Sequence, residues 1–257
     1  MIRGWDDRAL SETVGYVLVF ALVVSTVGMI TVGGFDSLEN RQSIEQVANV
    51  ERAFDVLSDN VDDVLRHGDR SRATEVRIAD GELRIDEPVT VTVGAYDDST
   101  GFAETNETLT VHPIVYEVDD RQVIYGLGAI FRSDGEASAM THPPSFVEDD
   151  GTVSMALLDT RAAPGREIAV GPTTALVVAD ASTAALPTSS IHEPNGDHDD
   201  LAVRIESSRP AMWAEPFERS GFEPIERSDD TIVLTAAENG PDRVVLSTRN
   251  VFLSIED

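Results

Sequence analysis

The sequence predicts an α+β protein, in which a long N-terminal transmembrane and amphipathic helix precedes an antiparallel, β-rich, sandwich-like domain. Residues 14–32 carry no charge, residues 44–64 place apolar side chains at helical spacing, and the chain after Gly68 alternates apolar and polar residues. The predicted segments are a possible leader over 1–9, a transmembrane helix over 10–34, an amphipathic stalk helix over 35–67 and an extracytoplasmic β-rich domain over 68–257.

The first element is the uncharged run 14–32, which contains 19 residues. A helix of this length extends roughly 28 Å at about 1.5 Å per residue, close to the hydrocarbon thickness of a bilayer. A buried core helix is one alternative, and a cleaved secretory signal is another, but residues 33–36 do not form a small-x-small cleavage site. We therefore expect a single-pass protein in the cell membrane, with lipid as its first partner and most of the chain outside the cytoplasm.

The residues directly before this run are Arg8-Ala9-Leu10-Ser11-Glu12-Thr13-Val14-Gly15. A charged, a small and an apolar residue thus precede the helix, which resembles the class III signal peptide of archaeal type IV pilin-like proteins in its haloarchaeal version. The resemblance implies cleavage between Ala9 and Leu10 by a prepilin peptidase, and assembly with itself or with other pilin-like subunits. Glu12 departs from the bacterial pilin pattern, being third and not fifth in the mature chain. It is either a charge at the helix mouth or a partner for a neighbouring subunit.

The stalk helix is predicted from apolar residues whose steps alternate between three and four from Val47 onward, as in a heptad repeat. Gly68 follows the run and provides a C-terminal stop. The predicted packing seam comprises Ile44, Val47, Val50, Phe54, Leu57, Val61 and Val64. This seam either packs on the C-terminal domain of the same chain or pairs with a second copy, and just under three heptads leave both readings open.

The β-rich domain is predicted from period-two alternation. Residues 75–79 and 82–86, with Asp80-Gly81 between them, predict a β-hairpin. Further strands are predicted over 89–95, 108–111, 114–118, 122–131, 153–158, 174–178, 201–206, 231–235, 243–246 and 251–255. A short helix is predicted over 209–220, interrupted at Pro216. Short strands at this spacing favour a sandwich, or a sheet wrapped on the first helix.

Two segments of this domain contain glycine or tryptophan in informative positions. Gly126 and Gly128 are too few for a dinucleotide-binding fingerprint, and inside a strand pattern we expect them to let a neighbouring element approach closely. Trp213 is expected to pack in the core. The segments 125–132 and 207–214 resemble a group of uncharacterised haloarchaeal pilin-like proteins, a resemblance that implies no activity.

The composition is strongly acidic, with 47 acidic against 19 basic residues, a net charge of -28 and arginine at every basic position. Carboxylates hold water and hydrated cations, and multimolar salt screens their repulsion, whereas lysine stems expose apolar surface. Charges spread along the chain in this way indicate adaptation to high salt and argue against nucleic acid as a partner. The absence of cysteine excludes disulfides, thiolate zinc sites and thiol nucleophiles.

Motifs that carry chemistry are few. The sequence has no Gly-x-Ser-x-Gly elbow, phosphate-binding loop or His-Glu-x-x-His motif. Residues 192–200 concentrate histidines and carboxylates, but their spacing does not match a calcium loop, so we predict no catalytic residue, no metal site and no cofactor. Asn106 begins Asn-Glu-Thr and is a candidate glycosylation site.

The sequence therefore favours a non-enzymatic, membrane-anchored, extracytoplasmic pilin-like structural or interaction protein of a halophilic archaeon. The alternative is a membrane-tethered binding module for an extracellular ligand or cation. A third hypothesis is an anchored hydrolase that uses carboxylates such as Glu193 or Asp197.

Overall fold

The computed structural model describes the backbone of residues 6–135, 137–182, 187–194 and 200–257, and within these ranges the side chains of residues 14–30 and of residue 42 onward. The chain divides into two compact units, Met1–Glu45 and Gln46–Asp257. The helical elements are α1, Asp6–Asp62, a π-helical turn, Asp63–His67, and α2, Pro210–Arg219.

Strands dominate the second unit. They are β1 Ser71–Ile78, β2 Glu82–Ile85, β3 Val89–Asp97, β4 Gly101–Phe102, β5 Glu107–Val111, β6 Ile114–Val118, β7 Arg121–Gly126, β8 Ala129–Asp134, β9 Ala137–His142, β10 Val147–Asp149, β11 Thr152–Ala162, β12 Ile168–Val170, β13 Thr173–Asp180, β14 Thr188–His192, β15 Asp200–Glu206, β16 Phe222–Arg227, β17 Thr231–Ala236 and β18 Arg243–Glu256.

The strands of the described residues form three sheets. The first sheet has the order β1-β13-β18-β11-β10, with β14 also paired to β18. The middle sheet has the order β12-β2-β6-β7-β8-β9. The third has the order β16-β17-β15-β3-β4, with β5 also paired to β3.

Alternation along the central strands of the middle sheet places apolar side chains on both of its faces. In β6, Ile114 and Tyr116 belong to one hydrophobic cluster, while Val115 belongs to the other. The first cluster contains the apolar side of α1 from Val47 onward, and the second contains the third sheet and α2. Strands buried on both faces need near-continuous apolar residues, which is the pattern of β6.

The predicted fold class is wrong. Strands account for 51% of the residues whose side chains are described, so the protein is mainly β and not α+β. Within the part of the chain whose side chains are described, no helix is both long enough and apolar enough to cross a membrane. The β-rich part is also neither a two-sheet sandwich nor purely antiparallel, because it has three sheets and β11 runs parallel to β18. Alternation identifies strands but not their partners, which are set by long-range packing.

The predicted hairpin across Asp80-Gly81 is likewise wrong. β1 pairs with β13, whereas β2 pairs with β6 and β12, so the two segments lie in different sheets. Gly81 has a φ of 86°, and a Cβ at this position would collide with the carbonyl oxygen of Glu117. Glycine at this position therefore allows the chain to turn from the first sheet into the middle sheet.

Other strand boundaries also differ from the prediction. The segment 122–131 is not one strand, because Leu127 and Gly128 have φ values of 53° and 75° and turn β7 into β8. Conversely, the segments 243–246 and 251–255 are one long strand, β18. Helix α2 is continuous through Pro216.

Candidate functional site

The first candidate site is the surface formed by the side chains of residues 14–30 in α1, here called the apolar helix surface. Every one of these side chains is exposed, and none is charged. The hydroxyl of Thr26 donates to the carbonyl oxygen of Leu22 at 2.8 Å, so this polar group is satisfied within the helix. The large exposed hydrophobic side chains are Val14, Tyr16, Val17, Leu18, Val19, Phe20, Leu22, Val23, Val24, Val27, Met29 and Ile30.

This surface can act through the hydrophobic effect, because covering its apolar side chains removes them from water. A helix that is apolar on all sides is stable when an apolar environment covers it. Fully burying one valine, leucine, isoleucine, phenylalanine or methionine side chain stabilises by about 1.5–3 kcal/mol. Removing the twelve large side chains of this surface from water would therefore be strongly favourable.

The residues implicated by the leader resemblance lie at the start of α1. Ala9, Leu10 and Glu12 fall within the helical backbone Asp6–Asp62. Their side chains lie outside the described residues, so cleavage before Leu10 and the pairing of Glu12 stay predictions.

The seam residues of the stalk are divided between two environments. Ile44 is 43% exposed. The other six, Val47, Val50, Phe54, Leu57, Val61 and Val64, are each at most 2% exposed and belong to the first hydrophobic cluster. In that cluster they pack with strand residues of the same chain, such as Val76, Tyr125 and Leu253.

A buried arginine lies at the C-terminal end of the stalk. Arg249 of β18 is 5% exposed, and its Nη1 donates to the carbonyl oxygens of Val64 and, at 2.9 Å, Asp69. Its Nε has no hydrogen-bond partner among the residues that the structure describes. A cation that binds the free carbonyls at a helix C-terminus is favourable, so Arg249 ties the end of the stalk to the first sheet. The sequence did not point to this residue, because an arginine in a strand of alternating polarity is normally expected on the exposed face.

A second candidate site is the polar cluster, which we define as Glu107, Ser190, His192 and Thr248. The Ser190 hydroxyl donates to Oε2 of Glu107, and the Thr248 hydroxyl donates to Oε1 at 3.0 Å. Nε2 of His192 lies 3.0 Å from Oγ of Ser190 and 3.8 Å from Oε2 of Glu107. The cluster joins β14 and β18 of the first sheet to β5 of the third.

The geometry of the polar cluster differs from that of a nucleophilic relay. In a serine-histidine-carboxylate triad the hydroxyl and the carboxylate bind opposite ring nitrogens of the histidine. Here both lie near Nε2, and the Ser190 hydroxyl donates its hydrogen bond to Glu107 and not to His192. Burial lowers the pKa of His192, an effect that outweighs the opposing influence of Glu107. A neutral histidine in such a network suits a structural link between sheets.

The two described titratable residues at the start of the acidic segment 192–200 lie in different environments. His192 is 6% exposed and turns toward Glu107, whereas the exposed Glu193 accepts a hydrogen bond from Arg243. The stretch 195–199, which includes Asp197, lies outside the described residues. Among the described residues, no group of three or more histidine, aspartate or glutamate side chains is arranged to hold a metal ion.

Asn106, the candidate glycosylation site, lies in the connection between β4 and β5. It is exposed, and its Nδ2 donates to the carbonyl oxygen of Ala103 at 2.7 Å. It directly precedes Glu107 of the polar cluster, which sequence reasoning did not single out. Only the folded structure brings Glu107 of β5 into hydrogen-bond contact with Ser190 and Thr248 of the first sheet.

Comparison with known proteins identifies the family of the chain. The model of DUF7289, a family of unknown function, matches residues 8–254. The chain belongs to this family. Among curated proteins and solved structures, the comparisons found no match. Membership in DUF7289 extends over both compact units, and it leaves function to be argued from the described side chains.

Proposed function

We propose that this DUF7289 protein is a non-enzymatic, membrane-anchored structural or interaction protein of the pilin-like kind, adapted to high salt. The apolar helix surface is the observation that carries the proposal. All of its described side chains are exposed and uncharged, and lipid is the environment that removes such a surface from water. The uncharged run continues to residue 32 in the sequence.

The acidic second unit supports a role facing concentrated salt outside the cytoplasm. The chain carries a net charge of -28 and no lysine. Anchored by its N-terminal segment, it would present a wide carboxylate-rich surface to solvent, where hydrated cations screen the repulsion. This surface is the part available to other proteins or to the cell envelope.

The resemblance to type IV pilin-like proteins supplies the assembly part of the proposal. Cleavage between Ala9 and Leu10 would leave a mature chain that begins at the apolar segment. Residues 10–32 would then form the buried helical core of a filament or of a smaller complex with other pilin-like subunits. The burial of six seam residues against strands of their own chain supports a stalk that serves its own domain.

The proposal is tested by fractionation of the native cells. The full-length protein is expected in the membrane fraction, to resist extraction with carbonate and to be released by non-ionic detergent. Recovery of the intact protein in the soluble fraction contradicts the anchoring. Sequencing of its N-terminus tests processing, because a mature chain that starts at Leu10 supports the pilin-like part and an intact Met1 or Ile2 overturns it.

A matched pair of double variants distinguishes membrane anchoring from non-specific hydrophobic association. Val19 and Leu22 are 61% and 67% exposed in the apolar helix surface, while Val147 and Ile191 are 53% and 65% exposed in the second unit. Replacing either pair with arginine adds the same charge at similarly exposed sites. Each arginine costs about 2.5–3.5 kcal/mol at the centre of a bilayer, so V19R/L22R is expected to shift the protein out of the membrane. V147R/I191R is expected to stay there, and equal behaviour of the two contradicts the proposal.

A further inference from the structure

The connection between β4 and β5 holds Asn106 in a short, well-supported turn. The backbone N–H of Asn106 donates to the carbonyl oxygen of Ala103 at 3.3 Å, and its side-chain Nδ2 donates to the same oxygen at 2.7 Å. A Cβ built on Gly94 of β3 would lie 2.9 Å from Cβ of Asn106, so the base of this side chain lies directly against the neighbouring strand. The residue itself is exposed.

The two residues that a glycan-transferring enzyme reads lie on the same side of the chain. Asn106 and Thr108 are both exposed, while Glu107 between them is half-buried and points its carboxylate at Ser190 and Thr248. This is the alternation of an extended segment. The Thr108 hydroxyl lies 3.0 Å from the hydroxyl of Thr92 on the adjacent strand. Asn106 and Thr108 of the sequon therefore lie at the surface. Glu107, between them, faces inward and belongs to the polar cluster.

We infer that Asn106 is an N-glycosylation site that accepts a sugar from a lipid-linked phosphosugar. This inference rests on the proposed function, because it requires the second unit to lie outside the cytoplasm. In the reaction Nδ2 bonds to the anomeric carbon of the sugar, the bond from that carbon to the phosphate oxygen breaks, and the amide loses one proton to a base. No oxidation or reduction takes place. The modified amide keeps one N–H, which is enough for its hydrogen bond to Ala103.

A glycan here would lie beside a structural joint of the protein. The chain segment on which it sits continues into Glu107, which links the third sheet to the first. A bulky, hydrated group at this position would cover the β4–β5 connection and add water-binding surface to a strongly acidic protein.

The test is intact-mass and peptide mass spectrometry of the full-length protein purified from its native cells. The peptide that contains Asn106 is expected to carry a sugar mass, which is lost in N106Q and in T108V and retained in T108S. The controls are T110V, which changes a nearby threonine of β5 outside the sequon, and N239Q, which changes an exposed asparagine without a sequon. Both are expected to keep the glycan.

Failure of this inference can be told apart from failure of the proposed function. Intact cells are treated with protease, and cleavage of the second unit reports that it lies outside. An exposed second unit with an unmodified Asn106 overturns the glycosylation and leaves the proposed function standing. A protected second unit with an unmodified Asn106 overturns both.

Discussion

Gly126 lies directly against the indole ring of Trp213. A Cβ built on Gly126 would be 2.7 Å from Cη2 and 2.8 Å from Cζ3 of that ring. Gly126 ends β7 in the middle sheet, whereas Trp213 belongs to α2 and is 2% exposed. The indole also meets Phe131 edge to face, with ring centroids 5.3 Å apart. The packing of α2 on the sheet therefore depends on the missing side chain of a glycine.

The first prediction is that Gly126→Ala destabilises the second unit. The added methyl group has no room beside the indole, and overpacking of this kind costs about 1–3 kcal/mol. The measurement is equilibrium denaturation of the full-length protein in detergent and multimolar salt.

The control for this prediction makes room on the other side of the contact. Trp213→Phe shortens the ring, so Gly126→Ala is expected to cost less in that background than in the natural protein. An alanine that costs the same in both backgrounds contradicts the contact as the cause.

The second prediction concerns the stalk and uses two adjacent residues. Leu57 is 1% exposed within the first hydrophobic cluster, and Val56 is 53% exposed. Leu57→Ala removes buried methyl groups and leaves a cavity, so it is expected to lower the free energy of unfolding by about 2–5 kcal/mol. Val56→Ala loses little burial and improves helix propensity, so it is expected to stay within about 0.5 kcal/mol of the natural protein.

The two variants also distinguish the two hypotheses for the seam, which are packing on the same chain and pairing with a second copy. If the seam stabilises the chain that carries it, the loss in Leu57→Ala is independent of protein concentration. A loss that disappears on dilution would show that the seam pairs two copies.

Local patterns in the sequence predict several elements of the fold. The steps of three and four from Val47 predict one packing side of a helix, and that side is buried. The predicted strand 114–118 is β6, and Trp213 lies in the second hydrophobic cluster, as expected. The pattern does not predict which strands pair, because partner choice depends on residues far apart in sequence, as in the parallel pairing of β11 and β18. Short exposed strands such as β9 and β10 carry almost no apolar signal.

The candidate sites divide in the same way. The apolar helix surface is visible in the sequence as an uncharged run, because its members are contiguous. The polar cluster is not, because Glu107 and Thr248 are 141 positions apart and each looks like an ordinary strand residue. Arg249 escapes prediction for the same reason, since its partners Val64 and Asp69 lie at the far end of the stalk.

The third prediction is an alkaline loss of stability through Tyr116. Burial, with smaller contributions from Asp80 and Asp119, raises the pKa of Tyr116 to about 12, against an opposing hydrogen bond from Gln46. A folded pKa above the unfolded value of about 10 favours the folded state below pH 10, and this contribution is lost as pH rises toward 12. The measurement is the free energy of unfolding between pH 8 and pH 12, with tyrosinate absorbance followed in parallel.

Tyr116→Phe isolates this contribution. The variant cannot ionise at this position, so it is expected to lose less stability than the natural protein between pH 10 and pH 12. At pH 8 it is expected to be less stable by about 1 kcal/mol, because the Tyr116 hydroxyl donates to the carbonyl oxygen of Asp80 at 2.7 Å. Parallel pH curves for the two proteins would contradict the assignment.

The fourth prediction is that stability falls when salt is removed. At a net charge of -28 the carboxylates repel one another over a Debye length that grows from about 3 Å at 1 M salt to about 30 Å at 0.01 M. The melting temperature is expected to fall steadily from multimolar to millimolar sodium chloride. An unchanged melting temperature contradicts adaptation to salt.

The turn between β10 and β11 allows the effect of carboxylate repulsion on stability to be tested at a single place. Glu148, Asp149 and Asp150 are exposed there, and the carboxylate of Asp242 is close enough that a Cβ on Gly151 would lie 3.0 Å from it. Asp150 has a φ of 44°, a conformation that asparagine also tolerates, so Asp150→Asn removes a charge without straining the backbone.

Asp150→Asn is expected to raise the melting temperature at low salt and to change it little at high salt, because only unscreened repulsion is relieved. Glu193→Gln is the matched control, since the Glu193 carboxylate is paired with Arg243 and its removal deletes an attraction and not a repulsion. That variant is expected to gain nothing at low salt. Equal gains in the two variants would mean that total charge governs the response, and not the local crowding of carboxylates at this turn.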